Sequence, residues 1–570
     1  MAQSQHPRNQ SPSQDQYLEL PRAIADADGF PHKSEKRNAR EFLHERYDII
    51  SPHFPINWFP DVVIMEGMFI IQTIPFPGCT MKQYSMFLLE HYVRYYIHKK
   101  VAEIHIEFDH ANRLPEHPKQ IERKRRNATC IHSHTLFHDS LKAPSKWREH
   151  LECIVCKRRI VNYVGNCLLQ LAPSMLTDTQ ALTVSGCTDG DDQDKAFYST
   201  LNKMKVCDPT LHCNAEEADT RIWLHALKSE GRRKLIISPD TDTLFVGLGV
   251  ANVISMDIVI QASMGATEKK FIHLNALVQA INSDVDLHPI PTEDRPKILQ
   301  SMFVLSGCDF TSFFVGFGKV AFFKAFYTYS DFISGETGTL THLTNDSSYL
   351  AFLRMIGVLY FQKHRSSLSK YNSPIAHFHS HKSATFKQQH LSWIDSLWQG
   401  IWDQVTFEDQ LIPSNEALYR HYLRSSWVIH YWRKATQNDM QLLPATSFGW
   451  KLGKEGVLEI EWDSEDNIQN VRDCVTFLLR GCKCVKSKCA TRVCSCRKAG
   501  RPCGPGCSCI SCTNQPKQGM SPTFRCHTLT HTRAHTRVCT HARTHARTHT
   551  HTHTHTHTTH TLYNQYLSVT

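Results

Sequence analysis

The amino-acid sequence predicts an α/β protein: a twisted, mainly parallel sheet flanked by helices, followed by an α-helical extension and a small cysteine-rich module. Three observations carry this expectation. From about residue 57 to 325, short apolar strand-like runs alternate with helical patterns, as in a layered α/β structure. Several of those runs deliver a carboxylate at the end of a strand or at the edge of a helix. Nine of the 21 cysteines fall between Cys482 and Cys512, in a stretch with almost no aliphatic residues.

A chain of 570 residues is too long for one core, and 41% hydrophobic with 21% charged residues is ordinary for globular domains. The N-terminal "MAQSQHPRNQSPSQDQ" has no apolar signal-peptide core, and the longest apolar runs are broken by Glu66 and Lys319. A soluble, intracellular protein is expected. In that setting a dense cysteine cluster reads as metal binding before disulfides. The formal charge of +10 is compatible with a polyanionic partner.

Taken in order, residues 1–40 are polar and predicted to be disordered, and the α/β domain spans 41–325. "EIHIEFD" alternates Ile104, Ile106 and Phe108 against His105 and Glu107 and reads as a strand ending at Asp109. Residues from about 130 to 204 are less regular, include the acidic loop "DGDDQD", and read as an insertion. Cys153 and Cys156 have zinc-ligand spacing but sit in an apolar helical pattern and read as core. "EEADTRIWLHALKSEG" places Ala218, Ile222 and Ala226 on one helical face, stops at Gly231, and is followed by the strand "KLIIS". "EDRPKILQSMFVLSGCD" reads as a helix that delivers Asp309 to its end. Residues 326–480, rich in Trp and Tyr, read as a helical extension; 481–514 form the cysteine module. The His/Thr tail, 515–570, is low complexity and reads as the product of a dinucleotide repeat.

The carboxylates are Glu66 in "VVIMEG", Asp109 in "HIEFD", Glu217 and Asp219 in "EEAD", Asp240 and Asp242 in "SPDTD", and Asp309 in "SGCD". The C-terminal ends of parallel strands gather along one sheet edge, where ligands bind. Acids converging there would form an oxygen-rich site suited to Mg²⁺ or Mn²⁺. The order of these motifs, with the basic segment "IERKRR" after "FD" and the glycine-containing "FVGFGKVAF" after "SGCD", resembles the flap endonuclease/XPG branch of the PIN-like nucleases over about residues 58–325. The resemblance implies that the seven acids hold two divalent metals for phosphodiester hydrolysis. It implies that Lys119 and Arg123 face the scissile phosphate, and that Gly316, Gly318 and Lys319 touch the duplex backbone. Glu66 departs from the family, which carries aspartate there. An extra methylene moves the carboxylate by roughly 1 Å, a displacement that can lower a rate on the order of 100-fold.

The cysteine module, "CKCVKSKCATRVCSCRKAGRPCGPGCSCISCTN", contains Cys482, Cys484, Cys489, Cys494, Cys496, Cys503, Cys507, Cys509 and Cys512. C-x-C and C-x2-C spacings suit tetrahedral zinc, which would supply the folding energy that the missing core cannot. Nine sulfurs fill the twelve positions of three tetrahedral ions only if three of them bridge. The segment resembles the tesmin-type CXC domain, and the resemblance implies a three-zinc cluster, DNA as partner and hence a nuclear location. Lys483, Lys486, Lys488, Arg492, Arg497, Lys498 and Arg501 have no acid among them, and their charge exceeds the net −3 of nine thiolates on three zincs. Val493 stands where the family typically carries a minor-groove tyrosine, so contact with the backbone is expected in place of base readout.

The combined expectation is a DNA-binding protein with a zinc-bound CXC module and a metal-dependent nuclease-like domain. Two alternatives remain: a non-catalytic chromatin or transcription regulator that keeps the nuclease fold as a scaffold, and a remnant of a mobile element.

Overall fold

The computed structural model describes residues 20–33, 35–110, 117–126, 136–263, 269–335, 340–343, 345–401, 408–453, 456–464, 466–468, 482–484, 488–498, 503, 507–509 and 512–514. Its centre is one sheet of nine strands: β1 (Ile50–Ser51), β2 (Val62–Glu66), β3 (Glu103–Glu107), β4 (Ala181–Ser185), β5 (Ala196–Ser199), β6 (Val206–Asp208), β7 (Arg233–Ile237), β8 (Asp257–Gln261) and β9 (Phe271–His273). They lie in the order β1-β9-β8-β7-β2-β3-β4-β5-β6. The five central strands, β8 to β4, are parallel, and antiparallel strands close both edges.

Parallel strands are covered on both faces, so they read as nearly continuous apolar runs. Val62 to Met65 of β2 and Lys234 to Ile237 of β7 are all buried. In β3 the polar His105 and Glu107 are buried too. His225, on a helix spanning Ala218–Lys228, lies across His105 and Glu107, with Nδ1 2.9 Å from His105 Nδ1 and from Glu107 Oε1. The turn into β7 needs Gly231, at φ +84°, where a Cβ would meet Asp61 Cβ at 2.7 Å.

The helices used below are α1 (Arg37–Tyr47), α2 (Lys119–Arg126), α3 (Ile154–Leu171), α4 (Ala218–Lys228), α5 (Thr241–Val250), α6 (Arg295–Leu305) and α7 (Lys319–Thr328). β2 sits between β7 and β3, and the chain moves outward from it in both directions. That makes the C-terminal end of β2 a topological switch point, where α/β sheets leave a crevice for ligands.

Two expectations are corrected. Residues read as an insertion supply α3 and two strands to the same sheet: β4 pairs with β3 in parallel, and β5 pairs with β4. The acidic loop between them masked the short runs "ALTVS" and "AFYS". The start of the chain is not featureless over Leu20–Arg40 either. Ala23, Ile24 and Ala25 are buried, and α1 begins at Arg37. The polar composition concealed this because the contacts that order the segment are long-range.

The chain divides into two compact units. One comprises Phe30–Leu343 with His421–Ile460 and holds the sheet and all seven acids. The other takes in the described residues of Met1–Gly29, Thr344–Arg420 and Glu461–Thr570. It contains the helices Asp346–Lys363, Pro374–His379 and Phe386–Ile401 and the cysteine module. Inside it Arg354 is buried, with Nε on His390 Nε2 at 3.0 Å. No helix among the described residues is long and apolar enough to cross a membrane.

Candidate metal centres

Glu66 is the last residue of β2, and Asp109 follows β3 by two residues. Glu217 is the N-cap of α4, and Asp219 lies in its first turn. Asp240 is the N-cap of α5 and accepts from Asp242 N–H at 3.0 Å; Asp242 lies in that helix's first turn. Asp309 follows α6. Strand ends, helix starts and, for Asp309, the segment after a helix thus carry the acids to the switch point, where the N-termini of α4 and α5 favour negative charge.

The acids meet there. Asp219, Asp240 and Asp242 each bring an oxygen within 4.8 Å of the others. Oxygens on opposite sides of one octahedral Mg²⁺ lie about 4.2 Å apart, so the three fit one hard ion with little adjustment. Asp109 Oδ1 accepts from Ala218 N–H at 2.8 Å, beside Glu217. Glu66 and Asp219 are joined through two hydroxyls. Ser238 Oγ lies 3.1 Å from Glu66 Oε2 and 2.8 Å from Thr243 Oγ1, which lies 2.9 Å from Asp219 Oδ1. Three links need three hydrogens and the hydroxyls own two, so a fully bonded chain places a proton on one of the two carboxyls.

Two ammonium groups enter the same cluster. Lys119 Nζ lies 2.6 Å from Glu217 Oε1 and 2.7 Å from Asp309 Oδ2. Lys36 Nζ lies 2.6 Å from Asp242 Oδ2, 2.7 Å from Asp309 Oδ1 and 3.8 Å from Asp240 Oδ2. Arg123 pairs with the buried Glu216. One cleft of about 310 Å³ is lined by His32, Lys33, Lys36, Glu122, Asp240 and Asp309. A second, of about 220 Å³, is lined by Asp109, Lys119, Arg123, Lys157 and Arg158 among others.

Lys36, Glu216, Ser238 and Thr243 were not anticipated from the sequence; no local pattern marks a lysine whose partner is 206 residues away. Lys319 is a correction. It is 1% exposed, and its Nζ donates to Phe303 O at 2.7 Å, to Ser306 Oγ at 3.2 Å and to Gly307 O, over the Phe303 ring. It staples α6 to α7 and has no face for a duplex. Gly316 and Gly318 are exposed. Cys153 and Cys156 are both buried, and Cys156 N–H donates to Cys153 Sγ at 3.4 Å.

Burial and mutual repulsion shift Glu66, Asp219 and Asp242 upward. Burial, then Asp109 and Asp240, pushes the Glu66 carboxyl up to about 8. Burial outweighs Lys36 at Asp242, which rises to about 7. Burial, then Asp240 and Glu66, raises Asp219 well above the ordinary range. At Asp309 burial is outweighed by Lys119 and Lys36, which hold it far below that range. Between its ordinary value of 4.5 and about 8, Glu66 is ionised in the unfolded chain and protonated in the folded one. Its stabilising contribution is therefore present at acid pH and lost as pH rises toward 8. Glu66→Gln cannot ionise, so without divalent ions its melting temperature relative to the unsubstituted chain is expected to be higher at about pH 8.5 than at about pH 5. Melting curves at the two pH values check this.

The second centre is the cysteine module. Cys482, Cys489, Cys494 and Cys496 are buried, and the other five sulfurs pack around them. Sulfur pairs lie 3.5 Å (Cys482–Cys489), 3.7 Å (Cys482–Cys503), 3.8 Å (Cys494–Cys503) and 3.5 Å (Cys496–Cys507) apart. A disulfide requires about 2.05 Å, whereas two thiolates on one tetrahedral zinc at about 2.3 Å stand about 3.8 Å apart. Three overlapping quartets can hold an ion: Cys482, Cys496, Cys503 and Cys507; Cys482, Cys489, Cys503 and Cys509; and Cys482, Cys484, Cys489 and Cys494. Cys482 belongs to all three. Ser508 N–H to Cys482 O (2.9 Å) and Thr513 N–H to Lys488 O (2.8 Å) close the module. Lys483, Lys488, Arg492, Arg497 and Lys498 are exposed on it, and Val493 is 83% exposed; Lys486 and Arg501 lie outside the described residues.

Comparison with known proteins places this module. Residues 479–516 match the family model described as "Tesmin/TSO1-like CXC domain, cysteine-rich domain". "Protein tesmin/TSO1-like CXC 8" of Arabidopsis thaliana is 38% identical over 51 residues, which is 9% of this chain and 14% of that relative. Over residues 479–516, then, the chain is similar to the Tesmin/TSO1-like CXC domains, and eight of its nine cysteines fall in groups that could hold a metal ion.

Proposed function

We propose that this is a DNA-binding protein in which a three-zinc CXC module grips the phosphate backbone and the acidic pocket of a PIN/flap-nuclease-like α/β domain (about 41–325) hydrolyses phosphodiester bonds. The observation that supports hydrolysis is the meeting of seven acids, from segments spread between residues 66 and 309, at one end of the parallel strands. Bound divalent ions, Mg²⁺ or Mn²⁺, would supply Lewis acidity and an activated water. Asp219, Asp240 and Asp242 would hold such an ion, with Glu66 and Asp109 beside them. Lys119 and Arg123, on the wall of the smaller cleft, would orient the phosphodiester. The test is incubation of the full chain with branched and single-stranded DNA in Mn²⁺, beside an Asp240→Asn/Asp242→Asn variant. Cleavage by the first and not the second is expected; equal background from both would remove the hydrolytic part.

Zinc-dependent DNA binding stands separately. It predicts an affinity that falls steeply with salt, and that Lys488→Ala and Arg492→Ala each lower the log–log salt slope by about 1. Fluorescence anisotropy across a salt series measures it, and DNA as partner makes the nucleus the expected compartment. A second reading, a non-catalytic regulator that keeps the fold as a scaffold, is favoured by one observation: Lys36 and Lys119 already neutralise part of the acidic cluster.

A further inference from the structure

The pocket contains cations of its own, and they are unevenly placed. Lys119 and Lys36 each take one oxygen of Asp309, and Lys36 also takes Asp242 Oδ2. Asp242, 2% exposed, keeps Oδ1 buried with no hydrogen-bond partner. One half of the cluster is therefore saturated by ammonium groups. The other half, the Asp219–Asp240–Asp242 trio, retains the orphaned Asp242 Oδ1, an oxygen that a cation, a proton or another donor would satisfy.

We propose that the Lys36 ammonium occupies the second cation position of the pocket, so that the pocket takes one divalent ion, held by Asp219, Asp240 and Asp242, and not two. The proposal deepens the hydrolytic reading and rests on it only in treating the pocket as a cation site. A second ion within 2.0–2.1 Å of an Asp309 oxygen would have to sit against an ammonium already bound there, like charge against like charge in a buried site. Lys36 is no loose arm that an ion could push aside. It immediately precedes α1, and that helix is anchored at several points. Phe42 packs on Phe323 with ring centroids 5.3 Å apart, Arg40 Nη1 donates to Ala262 O at 3.2 Å, and Arg46 donates to both oxygens of Asp284 at 2.6 and 2.8 Å. An ammonium offers three donors and one charge, enough to bridge Asp242 and Asp309, whose other oxygen Lys119 takes, without an open coordination position.

The test counts Mn²⁺ by electron paramagnetic resonance on the zinc-loaded full chain, above the binding of an Asp219→Asn/Asp240→Asn variant used as blank for other sites. One ion is expected for the unsubstituted chain and two for Lys36→Met. Because Lys36→Met could unfold the site, a second measurement uses the unsubstituted chain alone. Acetylation of Lys36 by an amine-reactive reagent, read by mass spectrometry, is expected to stay low at saturating Mn²⁺. Two ions in the unsubstituted chain, or a rise in Lys36 labelling when Mn²⁺ is added, would overturn the proposal and leave the hydrolytic reading standing. One ion in both a folded Lys36→Met and the parent would overturn it too. No ion in either protein would end this proposal and the hydrolytic reading together.

Discussion

Cys482→Ser is expected to strip the cysteine module of its metal, lowering zinc from about three ions per chain to fewer than one and abolishing high-affinity DNA binding. The reason is its position: Cys482 is the one sulfur common to all three quartets, and it is 3% exposed at their centre. Zinc contributes on the order of 10–16 kcal/mol per structural site, and this segment has no apolar core to fall back on. Cys484→Ser and Cys507→Ser each touch a single quartet and are expected to lose about one ion. Zinc content by mass spectrometry of the purified full chain measures all three variants. Equal losses would contradict a shared central sulfur.

Asp240→Asn/Asp242→Asn is expected to lower Mn²⁺-dependent cleavage at least about 100-fold, because two of three candidate ligands lose their charge. The fold should survive. Asparagine caps a helix as well as aspartate does, so position 240 can still accept from the amide of residue 242 at the start of α5. Retained helix content with lost cleavage would separate chemistry from stability. A variant that cleaves like its parent would leave the acids with a structural role, held together by Lys36 and Lys119.

Much of the α/β core was legible because the relevant signals are local. The alternation of Ile104, Ile106 and Phe108 marks β3, the apolar face of 218–228 marks α4, and Gly231 marks the turn into β7. The acids were legible because each sits where a periodic segment stops. β4 and β5 were obscured by the acidic loop 189–194, which resembles an insertion until the β3–β4 pairing is seen. Lys36 was obscured for a different reason: its neighbours in sequence are polar, while its partners Asp242 and Asp309 lie far along the chain. Lys319 shows the converse. A lysine beside exposed glycines reads as a backbone contact, but the carbonyls of Phe303 and Gly307 draw it inward. Charge in a sequence reports a side chain's chemistry and not its partner.

Diffraction from crystals soaked in Mn²⁺, with anomalous differences collected at the manganese edge, tests the cation pocket most directly. A single peak among the carboxylates of Asp219, Asp240 and Asp242, with Lys36 still bridging Asp242 and Asp309, is the predicted result. No peak within reach of those three aspartates would contradict it.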